Sequence, residues 1–410
     1  MKAKVYFKNN SIAIIKAIDK LTINVICLEV VGEDTNHGHV SNCKTNNAYM
    51  QTEKQIVKEG EQAVEAVFNK KLIIKGSLWF ALITMCTIAG IFFYNNTGNT
   101  LKALSNISYR YVLICFLMLF IDLMLGSWRN HIYIRKLHPG VSHWVSFRAN
   151  VANMFMGAVT PAHGGAGPAQ IFVYTSNGVS FLNAFTIALI NMGATLIFMP
   201  LAGFVAILLM DTGAVSSIVP AMLKYGFTFF LLFLGVFLLA FWKPLWIGFL
   251  IKKIANGLSF LFPNKKEKFA NWAEISFSNI VKYQQTCSVI LKQHPYLFPL
   301  SLLITTVLYL NKYCLQYILL LGLGVNANLI QVISIQVLIQ FMIYFAPSPG
   351  GSGFAEVSIS VLFGKIVPVA LIPIFTLLQR SFLLFFPALI GAWVIINLLR
   401  KQAQKVTYSS

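Results

Sequence analysis

Charged side chains, and acidic ones in particular, are scarce in this sequence. Its 410 residues include 13 Asp and Glu and 32 Lys and Arg, so 11% are charged, whereas 57% are hydrophobic. A soluble domain usually has about 25% charged residues and at most about half apolar ones. The composition therefore excludes a soluble domain, and the mean hydropathy of +0.70 is typical of a polytopic membrane protein.

Motifs for catalysis and metal binding are also missing. The six cysteines are scattered and form no CxxC pair, and the sequence has no P-loop, no nucleophile–base pair and no Asp/Glu/His metal cluster. We therefore expect no enzymatic activity, no catalytic residue, no cofactor and no metal. The net charge of +19 is explained by basic cytoplasmic loops, so we also expect no nucleic-acid partner.

The few acidic residues are concentrated near the N terminus. Residues 1–70 contain eight of the 13, and the other five are Asp122, Asp211, Glu267, Glu274 and Glu356. The sequence thus predicts a cytoplasmic extension at 1–70, whose role it does not reveal. A transmembrane domain at 71–400 and a cytoplasmic tail at 401–410 follow.

Long apolar runs predict the membrane spans. They lie at about 72–94, 109–127, 181–210, 223–246, 295–322 and 366–398. Seventeen Lys and Arg flank one side of these spans and four flank the other, with a basic loop at about 247–294. The positive-inside rule then places both termini in the cytoplasm and the protein in the cell (inner) membrane.

Two further apolar stretches, at about 142–180 and 328–364, are interrupted by Gly and Pro. They match each other at a fixed offset of 186 residues, with a shared P-x-x-G-G-x-G core that begins at Pro161 and at Pro347. If each stretch enters and leaves the membrane on one side, three crossings separate the two units. The sequence therefore predicts an all-α fold with two inverted repeats, at about 72–210 and 223–398. Each repeat has three spanning helices and one broken re-entrant segment.

These motifs resemble a known family. The segments 153–170 (NMFMGAVTPAHGGAGPAQ), 346–356 (APSPGGSGFAE) and 379–391 (QRSFLLFFPALIG) are together similar to the lysylphosphatidylglycerol synthase transmembrane region, also called the flippase-like domain family. The resemblance covers about residues 70–400. It implies a domain that moves an aminoacylated phospholipid, a polyprenyl-phosphate-linked sugar or another lipid between leaflets.

Two departures from the family pattern change what is expected. In the synthases, an aminoacyl-transferase domain follows the membrane part, whereas this sequence ends at Ser410 soon after its last span. We therefore expect no lysyltransferase activity. Many relatives also carry a basic residue at the position of Gln170, so this half of the site is expected to bind an anion more weakly.

The candidate site combines the two breaks with charged residues inside the membrane. A helix that restarts after a break directs free N–H groups toward the membrane interior, which suits a phosphate, although the glycines also allow close helix packing. Arg380 is predicted either to bind phosphate or to pair with Glu356 or Asp122, and Glu356 either to complement the helix dipole or to take part in proton coupling or head-group choice. Asp122 is expected to pair with Arg129. The candidate substrate-binding residues are Asn153, Pro161, Gly164, Gly165, Gly167, Pro349, Gly350, Gly351, Gly353, Glu356 and Arg380.

Three functions fit this sequence. The first is translocation of an anionic phospholipid or a polyprenyl-phosphate-linked lipid between leaflets. The second is secondary transport of a small anionic solute, which uses the same architecture. The third is a non-transporting accessory subunit of envelope lipid synthesis, with a separate synthase or envelope enzyme as its partner. The sequence names neither the lipid, the energy source, the direction nor the oligomeric state.

Overall fold

A computed structural model gives the architecture of the chain. It describes residues 70–94, 108–209, 292–344 and 348–407, together with Ala346 and parts of 228–277. The N-terminal extension expected at 1–70 and most of the span expected at 223–246 lie outside the described residues.

The described residues are helical, and the helices follow the apolar runs of the sequence. In chain order they are α1 (Lys70–Tyr94), α2 (Tyr109–Leu137), α3 (His143–Val159), α4 (Ala166–Ser176), α5 (Phe181–Leu209), α6 (Pro244–Leu261), α7 (Leu297–Gly322), α8 (Leu329–Tyr344), α9 (Phe354–Phe363), α10 (Ile372–Arg380) and α11 (Phe386–Thr407).

Four of the described helical segments are long and apolar enough to cross a membrane: Tyr109–Leu137, Phe181–Leu209, Leu297–Gly322 and Val369–Lys401. At a rise of about 1.5 Å per residue, each exceeds the roughly 30 Å of a bilayer core. The segment expected to span at 72–94 is α1, whose continuously described apolar part, Ile73–Thr87, is shorter.

Three segments differ from the sequence-based expectation. Helix α2 continues ten residues past the span expected at 109–127, to Leu137, before Pro139 and Gly140 interrupt it. Helix α6 occupies the start of the basic loop expected at 247–294 and exposes Lys252 and Lys253. The expected tail at 401–410 continues α11 as far as Thr407.

The two halves of the transmembrane domain exchange packing partners. Helix α2 packs along α7, so two of the helices that are long enough to cross a membrane lie against each other. Helix α3 packs on α11, and α8 packs on α5. The helix that precedes each break therefore lies against a long helix from the other part of the chain. At Gly391 of α11, an added Cβ would overlap the Val151 carbonyl of α3, so only glycine allows this approach.

The two breaks meet each other. The first separates α3 from α4 and the second separates α8 from α9, and Pro161 pairs with Pro349 as an isolated antiparallel bridge. Because proline ends a helix and lacks an N–H, each break interrupts its helix at a proline. We call the meeting point of Pro161 and Pro349 the break crossing.

Candidate functional site

Arg380 and Glu356 form a buried ion pair beside the break crossing. Arg380 Nε lies 2.8 Å from Glu356 Oε1. Glu356 is fully buried and Arg380 is 5% exposed. Glu356 lies in the first turn of α9, and Arg380 ends α10 immediately before a widened π-helical turn, Ser381–Phe385. Of the alternatives that the sequence left open for Arg380, pairing with Glu356 is the arrangement that the structure shows.

This pair also holds the second break in shape. Arg380 Nη2 donates to the Gly350 carbonyl at 3.0 Å and to Ser352 Oγ at 3.4 Å. Ser352 Oγ shares a hydrogen bond of 2.8 Å with Thr84 Oγ1 of α1. Glu356 Oε2 accepts the Gly353 N–H at 2.6 Å and so caps α9. We call Thr84, Ser352, Glu356 and Arg380 the Arg380 network; its formal charges balance.

The second break needs its glycines for their conformation. Gly350, Gly351 and Gly353 have φ angles of 59°, 68° and 87°, in the left-handed region that side chains rarely adopt. A Cβ at Gly351 would also lie 2.6 Å from Ile343 Cγ2. The backbone of the second break therefore requires glycine at these three positions.

The first break is built differently. Its left-handed residues are Ala162 and His163, with φ angles of 49° and 55°, rather than any of its glycines. Gly165 is required by space, because a Cβ there would lie 2.8 Å from Thr160 Cγ2. A Cβ at Gly164 would meet only the Pro161 carbonyl, at 3.4 Å, and one at Gly167 would meet nothing within 4 Å. The matching glycine motifs therefore serve different purposes in the two breaks.

The first turn of α4 carries no acidic residue, whereas the first turn of α9 carries Glu356. Gly165 N–H donates to Thr160 Oγ1 at 2.8 Å, and Ala166 N–H donates to the His163 carbonyl at 3.0 Å. Among the described residues, Gly167 N–H has no acceptor, and Pro168 carries no N–H. Ala162 and Gly164 beside it are exposed. The first break thus presents an open helix N terminus.

A chain of amide side chains links five helices near α4. Asn153 Nδ2 donates to Gln170 Oε1 at 3.4 Å, and Gln170 Nε2 donates to Asn130 Oδ1 at 3.3 Å. Asn191 Nδ2 donates to the same Asn130 oxygen at 2.6 Å, and Ser301 Oγ donates to Asn191 Oδ1 at 3.4 Å. Of the predicted site residues, Asn153 belongs to this chain and not to the Arg380 network. Gln170 thus connects Asn153 and Asn130 through hydrogen bonds.

A second charged cluster lies between α2, α5 and α7. Asp122 Oδ2 pairs with Lys312 Nζ at 3.5 Å, so the expected partnership of Asp122 with Arg129 is wrong. Arg129 Nη1 instead donates to Thr195 Oγ1 at 3.3 Å and to Thr305 Oγ1 at 3.4 Å. We call Asp122, Arg129, Thr195, Thr305 and Lys312 the Arg129 cluster.

Sequence reasoning placed Arg129 in a loop, because the apolar run before it ends near residue 127. The signal that could have found it is helical spacing. Asp122, Arg129 and Asn130 are seven and eight residues apart, two turns of one helix face. Trp128, on another face of the helix, is 58% exposed. The polar face of α2 therefore continues beyond the apolar run.

Comparison with known proteins agrees with this architecture. The family described as "Lysylphosphatidylglycerol synthase TM region" matches residues 77–391. A UPF0104 membrane protein of Archaeoglobus fulgidus is 22% identical over 303 residues, which are 73% of this chain and 90% of that protein. The matched region contains both breaks, the Arg380 network and the Arg129 cluster. The chain is thus a multi-pass membrane protein that belongs to the family of the lysylphosphatidylglycerol synthase transmembrane region.

Proposed function

We propose that this protein moves an anionic phospholipid or a polyprenyl-phosphate-linked lipid between the leaflets of the cell membrane, without a catalytic step and with both termini in the cytoplasm. The observation that carries the proposal is the break crossing, where two interrupted helices meet inside the membrane domain. Non-helical backbone at membrane depth is tolerated only where protein or water satisfies it. Exposed backbone at Ala162 and Gly164 therefore favours a wet groove.

Two inverted repeats would account for this crossing. Helices α4 and α9 begin at Ala166 and Phe354, 188 residues apart, and Pro161 and Pro349 have the same spacing. When two equivalent residues pair in an antiparallel orientation, a two-fold axis passes between them. The exchanged contacts, α3 with α11 and α8 with α5, support the same axis. We therefore propose that repeats of three spans and one re-entrant segment rock against each other, so that the break crossing opens and closes.

The first break is the better half of the site for a phosphate. The positive end of a helix dipole and unsatisfied N–H groups attract anions. At α4 the Gly167 N–H is open and no acidic residue lies in the first turn, whereas at α9 the Glu356 carboxylate lies in the first turn and accepts the Gly353 N–H. We propose that the lipid phosphate passes along the first break, while the Arg380 network fixes the second break as the opposing wall.

Reconstitution in liposomes tests translocation. Liposomes carry a head-group-labelled anionic phospholipid in both leaflets, and an added impermeant quencher reports how fast the inner label becomes reachable. The wild type is compared with Arg380→Ala and Gly351→Leu. Arg135→Ala, which removes an exposed charge from α2, and Gly140→Leu, at a glycine with open space around it, are the matched controls. We expect quenching above empty liposomes for the wild type and both controls, and loss in both site variants.

A negative result with phospholipid leads to two further arms. A labelled polyprenyl phosphate, assayed with and without an imposed ion gradient, tests the second lipid class. Uptake of a small radiolabelled anion under the same gradient tests solute transport. Movement of neither lipid overturns the proposal; anion uptake then favours the solute carrier, and its absence favours an accessory subunit.

A further inference from the structure

Arg129 is a cation inside the membrane domain that forms no ion pair with the described residues, although Asp122 of the same helix lies within its electrostatic reach. It lies eight residues before the end of α2, which is about 12 Å along the helix axis. Its Nη1 contacts two neutral hydroxyls, those of Thr195 and Thr305. Its Nε is buried and has no hydrogen-bond acceptor among the described residues.

The carboxylates of Asp122, on the same helix, and of Glu356, on α9, are each paired with another cation. Asp122 pairs with Lys312, and Glu356 pairs with Arg380. The Arg129 cluster therefore has a formal charge of +1, whereas the Arg380 network is neutral. Arg129 is partly buried, and an excess positive charge that is partly withdrawn from water is costly, so this position favours an anion from outside the chain.

The surroundings of Arg129 suit phosphate oxygens. The Tyr309 and Tyr344 side chains lie within electrostatic reach of the guanidinium. Guanidinium groups bind phosphate through charge-assisted hydrogen bonds, and the described residues give acceptors to Nη1 of Arg129 alone. The His163 ring in the first break lies within electrostatic reach of both Lys312 and Arg380, so the cluster lies near the break crossing.

We propose that the Arg129 cluster is a binding site for the phosphate of an anionic lipid head group, in the half of the membrane that holds the C-terminal end of α2. This inference rests on the proposed function and adds a specific binding site for the head group to it. The head group is held by Arg129 between α2, α5 and α7, before it reaches the break crossing. Because the Asp122–Lys312 pair is neutral, Arg129 gives the cluster its net charge of +1.

Binding to the purified full-length protein in detergent tests this site. The probe is a short-chain phosphatidylglycerol with a fluorescent acyl chain, and the same chain on phosphatidylcholine gives the non-specific baseline. We expect Arg129→Gln to weaken phosphatidylglycerol binding about tenfold, the usual effect of losing a charge-assisted hydrogen bond. Arg135→Gln, which removes an exposed charge from the same helix, should bind like the wild type. Wild-type affinity in a folded Arg129→Gln protein overturns the proposal.

Asp122→Asn provides an independent test in case Arg129→Gln fails to fold. This isosteric change releases Lys312 and raises the cluster charge to +2, so phosphatidylglycerol should bind about fivefold more tightly. Unchanged or weaker binding contradicts the site. Inorganic phosphate serves as competitor: displacement of the probe at millimolar concentration assigns the site to phosphate itself, and failure to displace it assigns the site to the intact lipid.

The liposome assay separates this inference from the proposed function. If the wild type moves lipid and Arg129→Gln moves it equally fast, the Arg129 site is wrong and the function stands. If phosphatidylglycerol binding depends on Arg129 but no lipid moves, the site stands and translocation is wrong.

Discussion

Pro161 and Pro349 face each other in an antiparallel bridge, and this one pairing joins the two halves of the membrane domain at their interrupted helices. Opposed residues of an antiparallel pair have Cα atoms about 4.5–5.5 Å apart. Rocking of one half against the other therefore has to change this contact. A cross-link between these two residues can therefore block the motion while the charged residues stay unchanged.

We expect a disulfide at this pair to stop lipid movement. The distance suits a disulfide, so Pro161→Cys combined with Pro349→Cys in a background without native cysteines should cross-link under mild oxidation. Quenching in the liposome assay should then fall to the level of empty liposomes and return after reduction.

Each single cysteine variant is the control, because it shares one proline substitution and forms no intramolecular bond. Mass spectrometry after thiol alkylation measures the cross-linked fraction. Full activity in a fully cross-linked protein would show that the crossing does not open during transport.

The Arg380 network predicts a difference between stability and activity. Glu356→Gln leaves Arg380 buried without a counter-charge, and breaking such a pair costs about 3–5 kcal/mol. The double variant Glu356→Gln/Arg380→Gln removes both charges, so its thermal unfolding midpoint in detergent should recover most of that loss. Lipid movement should remain low in the double variant, because Gly350 and Ser352 lose their donor.

The decisive comparison is between the two readouts of the double variant. Recovery of both the midpoint and the lipid movement would mean that the pair only stabilises the fold. Lys252→Gln, at an exposed position on α6, is the control for removing a positive charge and should change neither quantity.

Gly391 predicts a packing effect between α3 and α11. In Gly391→Ala, the new Cβ overlaps the Val151 carbonyl and lies 2.6 Å from Phe155 Cβ, so the helices have to separate. Overpacking of this kind costs about 1–3 kcal/mol. The unfolding midpoint should fall relative to the wild type, whereas Gly140→Ala, with open space around its Cβ, should leave the midpoint unchanged. Equal midpoints for the two variants would contradict the close approach of α3 and α11.

The sequence predicts much of this fold because its signals are local. Apolar length located the four helical segments that are able to cross a membrane, and Gly and Pro located both breaks. The Arg380–Glu356 pair was one of the alternatives, since a lone charge in a span requires a partner. The family resemblance is confirmed by the match over residues 77–391.

What the sequence missed depends on three-dimensional contacts. Asp122 pairs with Lys312, which lies on another helix 190 positions further along the chain, and no local sequence pattern reveals this pair. The motif match at an offset of 186 also aligned Pro161 with Pro347, whereas the structure pairs Pro161 with Pro349. The left-handed residues show the same shift of two residues, since Ala162 and His163 lie 188 positions before Gly350 and Gly351.

Gly165 and Gly167 allow the role of the first break in binding to be separated from its role in folding. A Cβ at Gly165 displaces Thr160, whose hydroxyl accepts the Gly165 N–H, so Gly165→Ala should lower the unfolding midpoint. A Cβ at Gly167 meets no protein atom within 4 Å, so Gly167→Ala should fold like the wild type. If a lipid phosphate approaches the open N terminus of α4, the same Cβ stands in its path and should slow quenching several-fold. Wild-type lipid movement in Gly167→Ala would place the path elsewhere, since the start of α9 is already closed by Glu356.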